Sequence, residues 1–470
     1  MLFRSPFPAD SLVWTACNET YECATLSVPL DHDAPGDTTL GLSLLRAPAR
    51  DRTRRIGSLV VNPGGPGGSG TGLAFYAPYF FPAEILDRFD IVGFDPRGTN
   101  ASEPAIDCVD DLSSFVALDL TPDDREEREA LIAENKALAA GCQERSAALL
   151  PYVDTSQVVR DIDMLREALG EEKLTYFGYS YGTFLGALYA DRFPDRVRAL
   201  ALDGAVDPTL DGERLMRGQA IGFDEQLEAF FEACAADERC AFHSGEDPAQ
   251  AFDELAAAID AAPLRVRERT LGPGETWYAV TDALYSTSSW GPLADALAAA
   301  ERGDGGALLQ MADDFAGREE DGSYSDFVEQ FLAISAIETE YPETLEAYDA
   351  IAADVARVAP RLGTALIYNT MLPLYWPLSP RRTPAPVRAS GAPPIVVIGN
   401  LGDPATPYAW AESLAGQLES GVLMTYEGDG HTIFARGVDC IDDRVIDYLV
   451  DLQPPPAGAR CAVPEEAPSR

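Results

Sequence analysis

Short apolar runs alternate with helical patterns along the first part of the chain. Runs typical of buried strands occur at 24–30, 39–45, 56–62, 89–94, 174–177 and 198–202. Helical spacing occurs between them at 121–150 and 158–169. From about 207 to 385, helical patterns rich in alanine, glutamate and leucine replace the strand runs, which return at 394–399 and 421–426.

This alternation predicts an α/β fold with a mostly parallel, doubly wound sheet. The first two strands are expected to form a hairpin at the sheet edge, and 421–426 is expected to be the last strand. We expect one α/β core in two pieces, 1–206 and 386–470, with a mostly helical lid inserted between them at 207–385. Insertions at the carboxyl ends of strands commonly recognise substrate in such folds.

Composition narrows the class of protein. With 470 residues, 46% hydrophobic and 24% charged, the chain is typical of a soluble globular protein large enough for two lobes. No apolar run reaches eighteen residues, so no membrane span is predicted. The net charge of −42 argues against nucleic acid as a partner, because phosphates would be repelled, and it favours cationic or free-amine ligands.

The eight cysteines form four sequence-near pairs, Cys17/Cys23, Cys108/Cys142, Cys234/Cys240 and Cys440/Cys461. None forms a CxxC, and the chain has only three histidines, so a zinc cluster is not expected. An even, scattered set predicts disulfides in a secreted or envelope-exposed protein, with nearest-neighbour pairing as the hypothesis. Residues 1–11 lack a signal-peptide pattern, so a leader would have been removed or replaced. The alternative is a cytosolic protein with inert buried cysteines.

Gly178-Tyr179-Ser180-Tyr181-Gly182 lies between a strand run and an apolar helical pattern. This is the arrangement of a nucleophile elbow, in which a strained turn exposes the serine hydroxyl above the sheet. The helix start adds N–H groups and a partial positive charge where an oxyanion would form. A chance Gly-x-Ser-x-Gly in a loop is the alternative, and the flanking strand and helix favour the elbow, with Ser180 as nucleophile.

A serine nucleophile needs a base, and the candidates are His32, His243 and His431. His431 follows the last predicted strand, where an α/β-hydrolase places its base. The order serine, acid, histidine then requires a carboxylate on a loop after an intervening strand. Asp403 meets this requirement, and Asp203, at the end of the strand after the elbow helix, is the alternative.

An oxyanion hole requires two convergent N–H donors. One is expected from Tyr181, the residue after the nucleophile, and the other from Gly65 in the glycine-rich loop 63–70, with Gly64 or Gly67 as alternatives. A phosphate-binding loop is excluded because this loop has no lysine. Arg97 in the following Asp-Pro-Arg-Gly turn is expected to tie that turn to neighbouring loops.

The segments NPGGPGGSG, FDPRGTNASEP, YFGYSYGT, LDGAVDP, GDPATP and GDGHT together resemble the secreted tripeptidyl aminopeptidases of high-GC bacteria. These belong to the proline iminopeptidase family of serine peptidases and have the α/β-hydrolase fold. The resemblance implies that Ser180, Asp403 and His431 form the triad and that Gly65 and Tyr181 form the oxyanion hole. It also implies an exopeptidase, without metal or cofactor, that acts on peptides with a free N-terminus.

Relatives bind the substrate ammonium with acidic lid residues, so the resemblance implies Glu338 and Glu340 as candidates. A solvated surface role is the alternative for either residue. The stretches 333–338 and 373–377 lack two cysteines that the family pairs there, which is expected to leave the lid less constrained.

The sequence therefore predicts a serine aminopeptidase that releases short peptides, tripeptides above all, or single residues through an acyl-enzyme. An esterase or lipase-like hydrolase with the same triad is the nearest alternative, because the site chemistry does not distinguish amides from esters. A non-catalytic binding protein on a hydrolase scaffold is the remote one, and no triad residue is missing to support it.

Overall fold

A computed structural model describes residues 12–17, 20–242 and 247–464. Residues 1–11 and the candidate base His243 lie outside the described residues. The strands are β1 (Thr15–Ala16), β2 (Glu22–Pro29), β3 (Thr39–Ala47), β4 (Gly57–Asn62), β5 (Phe89–Phe94), β6 (Leu174–Tyr179), β7 (Val197–Asp203), β8 (Leu264–Val266), β9 (Arg269–Leu271), β10 (Ile395–Gly402), β11 (Gly421–Asp429) and β12 (Ala459–Cys461).

Ten of these strands form one sheet in the order β1-β2-β3-β5-β4-β6-β7-β10-β11-β12. The pairs from β5 to β12 are parallel, and the three pairs that join β1, β2, β3 and β5 are antiparallel. Every residue of β4, β5 and β6 is buried, as expected for strands covered on both faces. The predicted fold class and the edge hairpin, β2 with β3, are confirmed.

The helices are α1 (Gly70–Phe80), α2 (Ala83–Arg88), α3 (Ser113–Val116), α4 (Arg125–Ser146), α5 (Thr155–Ala168), α6 (Tyr181–Arg192), α7 (Gly212–Ala236), α8 (Pro248–Ala261), α9 (Pro273–Leu284), α10 (Trp290–Glu301), α11 (Gly306–Ala316), α12 (Phe327–Glu338), α13 (Leu345–Val355), α14 (Gly363–Asn369), α15 (Tyr408–Gln417) and α16 (Asp439–Asp451). Helices α7 to α14 lie between β7 and β10, and we call them the lid.

The structure contains short strands that the sequence did not predict, and one expectation about strands was wrong. The lid contains a hairpin, β8 with β9, whose three-residue strands are too short to leave an apolar pattern in the sequence. The strand at 421–426 is also not the last, because β12 pairs in parallel with β11. No helix in the described part of the chain is long and apolar enough to cross a membrane.

Neighbouring side chains of the central strands point to opposite faces of the sheet and therefore belong to two separate apolar clusters. Leu59 and Val61 of β4 pack with α1, α2 and α16, whereas Val60 packs on the opposite face. The cluster on that opposite face continues without a break into lid residues such as Leu284 and Leu332. The lid therefore shares a core with one face of the sheet.

All four predicted disulfides are present: Cys17–Cys23, Cys108–Cys142, Cys234–Cys240 and Cys440–Cys461. The last one joins α16 to β12, which attaches the end of the described chain to the sheet edge. Arg97 is fully buried and bonds Asp161 through two nitrogens, at 2.7 Å each, and the carbonyls of Leu30 and Tyr152. It thus ties its turn to neighbouring loops, as predicted.

Candidate active site

The Gly-x-Ser-x-Gly segment forms a tight turn from β6 into α6. Ser180 has φ 54° and ψ −125°, a conformation that is strained for a residue with a side chain. Its N–H donates to the carbonyl of Asp203 at 2.8 Å, which fixes the turn against β7. A Cβ on Gly178 would lie 2.4 Å from the carbonyl oxygen of Gly182, and one on Gly182 would lie 2.8 Å from that of Asn62. The turn therefore requires both glycines.

His431 follows β11, and its Nδ1 lies 2.9 and 3.0 Å from the two carboxylate oxygens of Asp403. Asp403 follows β10 and is held by the N–H groups of Ala405 and Thr406 and by the Thr406 hydroxyl. With Nδ1 paired to the carboxylate, Nε2 is the nitrogen available for chemistry. Nε2 is buried and has no hydrogen-bond partner among the described residues, so a Ser180–His431 hydrogen bond is not formed.

The lid itself positions the histidine. The backbone N–H of His431 donates to the carbonyl of Tyr285 at 2.8 Å, just after the end of α9. The Tyr285 ring also meets the imidazole edge-on, with 5.4 Å between centroids. On the other side, Asn400 donates to the carbonyl of Gly430 at 2.7 Å. The imidazole is thus oriented by the core and the lid together.

Asp203, the alternative acid, does not bond the imidazole and has a structural role instead. Its Oδ2 accepts from the backbone N–H groups of Ile433 and Phe434, both at 2.8 Å. Burial raises the pKa of Asp203 to about 6, although those two donors work in the opposite direction. The carboxylate that bonds the imidazole is therefore Asp403, and Asp203 holds the loop that follows His431.

The glycine-rich loop lies against the elbow. Gly64, Gly65 and Gly67 all have positive φ, and a Cβ on Gly64 would lie 2.8 Å from that of Ser180. The N–H of Gly64 already donates to the Asn62 side chain, so Gly64 is a poor oxyanion donor. The N–H groups of Gly65 and Tyr181 make no hydrogen bond to other described residues. Gly65 lines the same cavities as Ser180.

Two cavities lie between the core and the lid, and Ser180 lines both. The larger cavity, of about 470 Å³, also contains His431. Its lining includes seven aromatic lid side chains and the cationic side chain of Arg436; the aromatic ones are Phe223, Trp277, Tyr278, Tyr285, Phe315, Phe327 and Phe331. The smaller cavity, of about 110 Å³, is lined by Tyr181, Phe184 and Trp410 among others. A substrate bonded to Ser180 would therefore be enclosed by mainly apolar walls.

Of the two predicted ammonium-binding residues, only Glu338 lines one of these cavities, the smaller one. Its carboxylate accepts from Arg382 at 3.0 Å and from the N–H and hydroxyl of Thr155. Burial raises the pKa of Glu338, and the Arg382 charge acts against this. Glu340 is exposed and lines neither cavity, although the residues on either side of it line the smaller one.

The sequence analysis missed four charged groups that line the cavities, Asp207 and Arg382 in the smaller one and Asp282 and Arg436 in the larger one. Arg382 neutralises Glu338 from 44 positions further along the chain, a pairing that no spacing indicates. Asp282 lines the larger cavity together with Ser180 and His431. It is the only residue near the end of α9 that is not buried, in a helix in which ten of twelve residues are buried.

Known proteins match this chain over nearly its whole length. Residues 57–264 match the family model for the alpha/beta hydrolase fold, and 359–461 match that of the TAP-like protein family. Serine protease Hip1 of Mycobacterium tuberculosis (strain ATCC 25618 / H37Rv) is 36% identical, over 95% of this chain and 90% of that protein. Carboxylesterase B of the same strain is 36% identical, over 97% and 91%.

Tripeptidyl aminopeptidase of Streptomyces lividans is 30% identical, over 94% of this chain and 83% of that protein. These matches confirm the resemblance that the six motif segments predicted. The match to the alpha/beta hydrolase fold agrees with the mostly parallel sheet. The chain belongs to the TAP-like family of α/β-hydrolases.

Proposed function

We propose that this protein is a serine exopeptidase that releases short peptides, tripeptides above all, or single residues from free N-termini. The observation that carries the proposal is the bond between His431 and Asp403 in a cavity that His431 shares with Ser180. Two of the relatives bear peptidase names, serine protease Hip1 and tripeptidyl aminopeptidase, which supports a peptide as substrate.

In the first step, Ser180 Oγ attacks the scissile carbonyl while His431 Nε2 takes its proton. Asp403 stabilises the imidazolium and keeps Nε2 directed at the reaction. The N–H groups of Gly65 and Tyr181 donate to the oxyanion of the tetrahedral intermediate. Because Nε2 has no other partner within the described residues, the Ser180–His431 bond can form without breaking one.

In the second step, His431 returns the proton to the departing amine, which leaves the acyl group on Ser180. Water then attacks the ester with His431 again acting as base, and the acid is released. The mainly apolar walls of the larger cavity limit the access of bulk water, which strengthens the electrostatic interactions in the site.

The Ser180→Ala variant tests the mechanism. It should abolish peptide turnover and covalent labelling by a fluorophosphonate probe, with unchanged circular dichroism, because only the nucleophilic oxygen is removed. Ser113→Ala is the matched control, since Ser113 is exposed on the short helix α3. Full activity in the Ser180 variant would contradict the proposal.

Ester hydrolysis by the same site is the second candidate, favoured by the relative named carboxylesterase B. Peptides with free and acetylated N-termini separate the two, with products identified by mass spectrometry. An aminopeptidase should cleave only the free peptide near its N-terminus. Cleavage of both forms, or turnover of simple esters alone, would contradict the exopeptidase proposal.

We also propose that the protein acts outside the cytosol, as a secreted or envelope-exposed enzyme. Four disulfides support this, because such bonds persist in oxidising compartments. Fractionation of the source cells, with thiol alkylation before lysis, provides the test. Recovery of the chain in the cytosolic fraction with alkylated cysteines would contradict the localisation.

A further inference from the structure

Asp282 is an acidic residue of the active-site cavity that the proposed mechanism does not use. It lies in the last turn of α9 and lines the larger cavity with Ser180 and His431. Its side chain makes no hydrogen bond and no ion pair with any described residue. Arg436 lines the same cavity but does not pair with Asp282, whereas Glu338 in the smaller cavity is paired with Arg382.

The surroundings of Asp282 make its charge unfavourable. The side chain is half-buried against a wall that includes Trp277, Tyr278 and Phe315. Burial and the like charge of Asp314 raise the pKa of Asp282 to about 6, and no cation within the described residues counteracts them. A carboxylate in such surroundings is stabilised when a cation with N–H donors binds it.

Asp282 also shares its cavity with the reacting groups. It is three residues before Tyr285, whose carbonyl holds the backbone N–H of His431. The charges of Asp403 and Asp282 both raise the pKa of Tyr285, so that residue lies within electrostatic reach of both carboxylates. A cationic group on Asp282 would therefore belong to a molecule that also reaches Ser180.

We propose that Asp282 binds a cationic group of the substrate, an ammonium or guanidinium, while Ser180 attacks the carbonyl. The proposal rests on the proposed function, since it takes the substrate to be acylated at Ser180. The cation is either the N-terminal ammonium or a lysine or arginine side chain, and the two share the chemistry that a carboxylate recognises. Glu338 is a poorer receptor, because a substrate cation would have to displace Arg382.

The test compares two pairs of chromogenic peptide anilides in the wild type and in Asp282→Asn. One pair differs by N-terminal acetylation, and the other by lysine against norleucine before the scissile bond. The wild type should prefer the cationic member of at least one pair by tenfold or more in kcat/KM. The variant should lose that preference, while kcat/KM for the neutral member stays within about twofold. The pair that loses its preference identifies the source of the cation.

Asp295→Asn is the matched control, because Asp295 is an exposed lid acid of α10 that lines neither cavity and does not act on Asp282, and it should keep the preference. Asp282→Glu, which retains the charge, should also keep a preference, whereas Asp282→Ala should lose it. These variants keep the test valid if Asp282→Asn does not fold. Fluorophosphonate labelling at the wild-type rate shows that the Ser180 site is intact.

A wild type that treats both members of each pair alike would overturn the proposal. So would an Asp282→Asn variant that keeps the preference or that loses activity equally on both members. If the wild type cleaves no peptide, the exopeptidase proposal fails, but the proposal for Asp282 is still open to test. Nitrophenyl esters of lysine and norleucine then provide the same comparison for Asp282, with the same outcomes.

Discussion

Asp203→Asn is a sensitive test of how the site is built. Asp203 is fully buried, and its Oδ2 accepts from two backbone N–H groups of the loop after His431. Its other oxygen, Oδ1, has no hydrogen-bond partner among the described residues. Asparagine has nearly the same shape and keeps an acceptor for the two N–H groups, but it cannot ionise. The substitution therefore isolates the effect of the charge.

The expected magnitude follows from the pKa of Asp203, which burial raises from 3.8 to about 6. Between these values the native state binds more protons than the unfolded state, so the stability that this carboxyl contributes falls as pH rises. Each unit of pKa difference corresponds to about 1.4 kcal/mol, so the free energy of unfolding of the wild type should fall by about 3 kcal/mol relative to the variant between about pH 3.5 and 7.

Denaturant unfolding of both proteins at the two pH values measures this change. In the variant, the side-chain amide NH2 group takes the position of the unpaired Oδ1. The free-energy cost of burying this group is the same at both pH values, so it cancels in the comparison. The other acidic residues are common to both proteins and cancel as well. A stability difference that stays constant with pH within about 1 kcal/mol would refute the argument that burial perturbs Asp203.

The same variant separates the two candidate acids by their effect on activity. Asp203→Asn should keep kcat/KM within about tenfold of the wild type, because it retains an acceptor for the loop that follows His431. Asp403→Asn should lose about 10⁴-fold in kcat, because it removes the carboxylate that orients the imidazole. The reverse order of effects would mean that Asp203 is the acid of the mechanism.

Two further predictions concern the loop beside the nucleophile and a disulfide. Gly64→Ala should slow fluorophosphonate labelling at least tenfold, because its Cβ would lie 2.8 Å from that of Ser180, whereas Gly36→Ala, which meets nothing within 4 Å, should not. Replacing Cys108 and Cys142 together by alanine should lower the free energy of unfolding by about 4 kcal/mol, because the bond closes a loop with a sequence separation of 34. Equal labelling of the two glycine variants, or unchanged denaturant unfolding of the cysteine variant, would contradict these predictions.

Much of the fold could be predicted from local patterns. The strands β4 to β7 have continuous apolar runs because both of their faces are buried, and such runs can be recognised in the sequence. The elbow is equally local, since two glycines and a serine specify a turn within five residues. The short strands β8, β9 and β12 escaped prediction because three residues are too few to show a period.

The sequence by itself determined which residue types were available and the order in which they follow the strands. It favoured Asp403 but left Asp203 as an alternative, because β7 and β10 are neighbours in the sheet and both aspartates lie at its carboxyl edge. Only the folded loops decided, by directing Asp403 to the imidazole and Asp203 to backbone N–H groups. The tertiary structure likewise paired Glu338 with Arg382 and left Asp282 unpaired. Hydrogen bonds between residues far apart in sequence depend on how the loops and the lid fold together, and the spacing of residues along the chain does not show this.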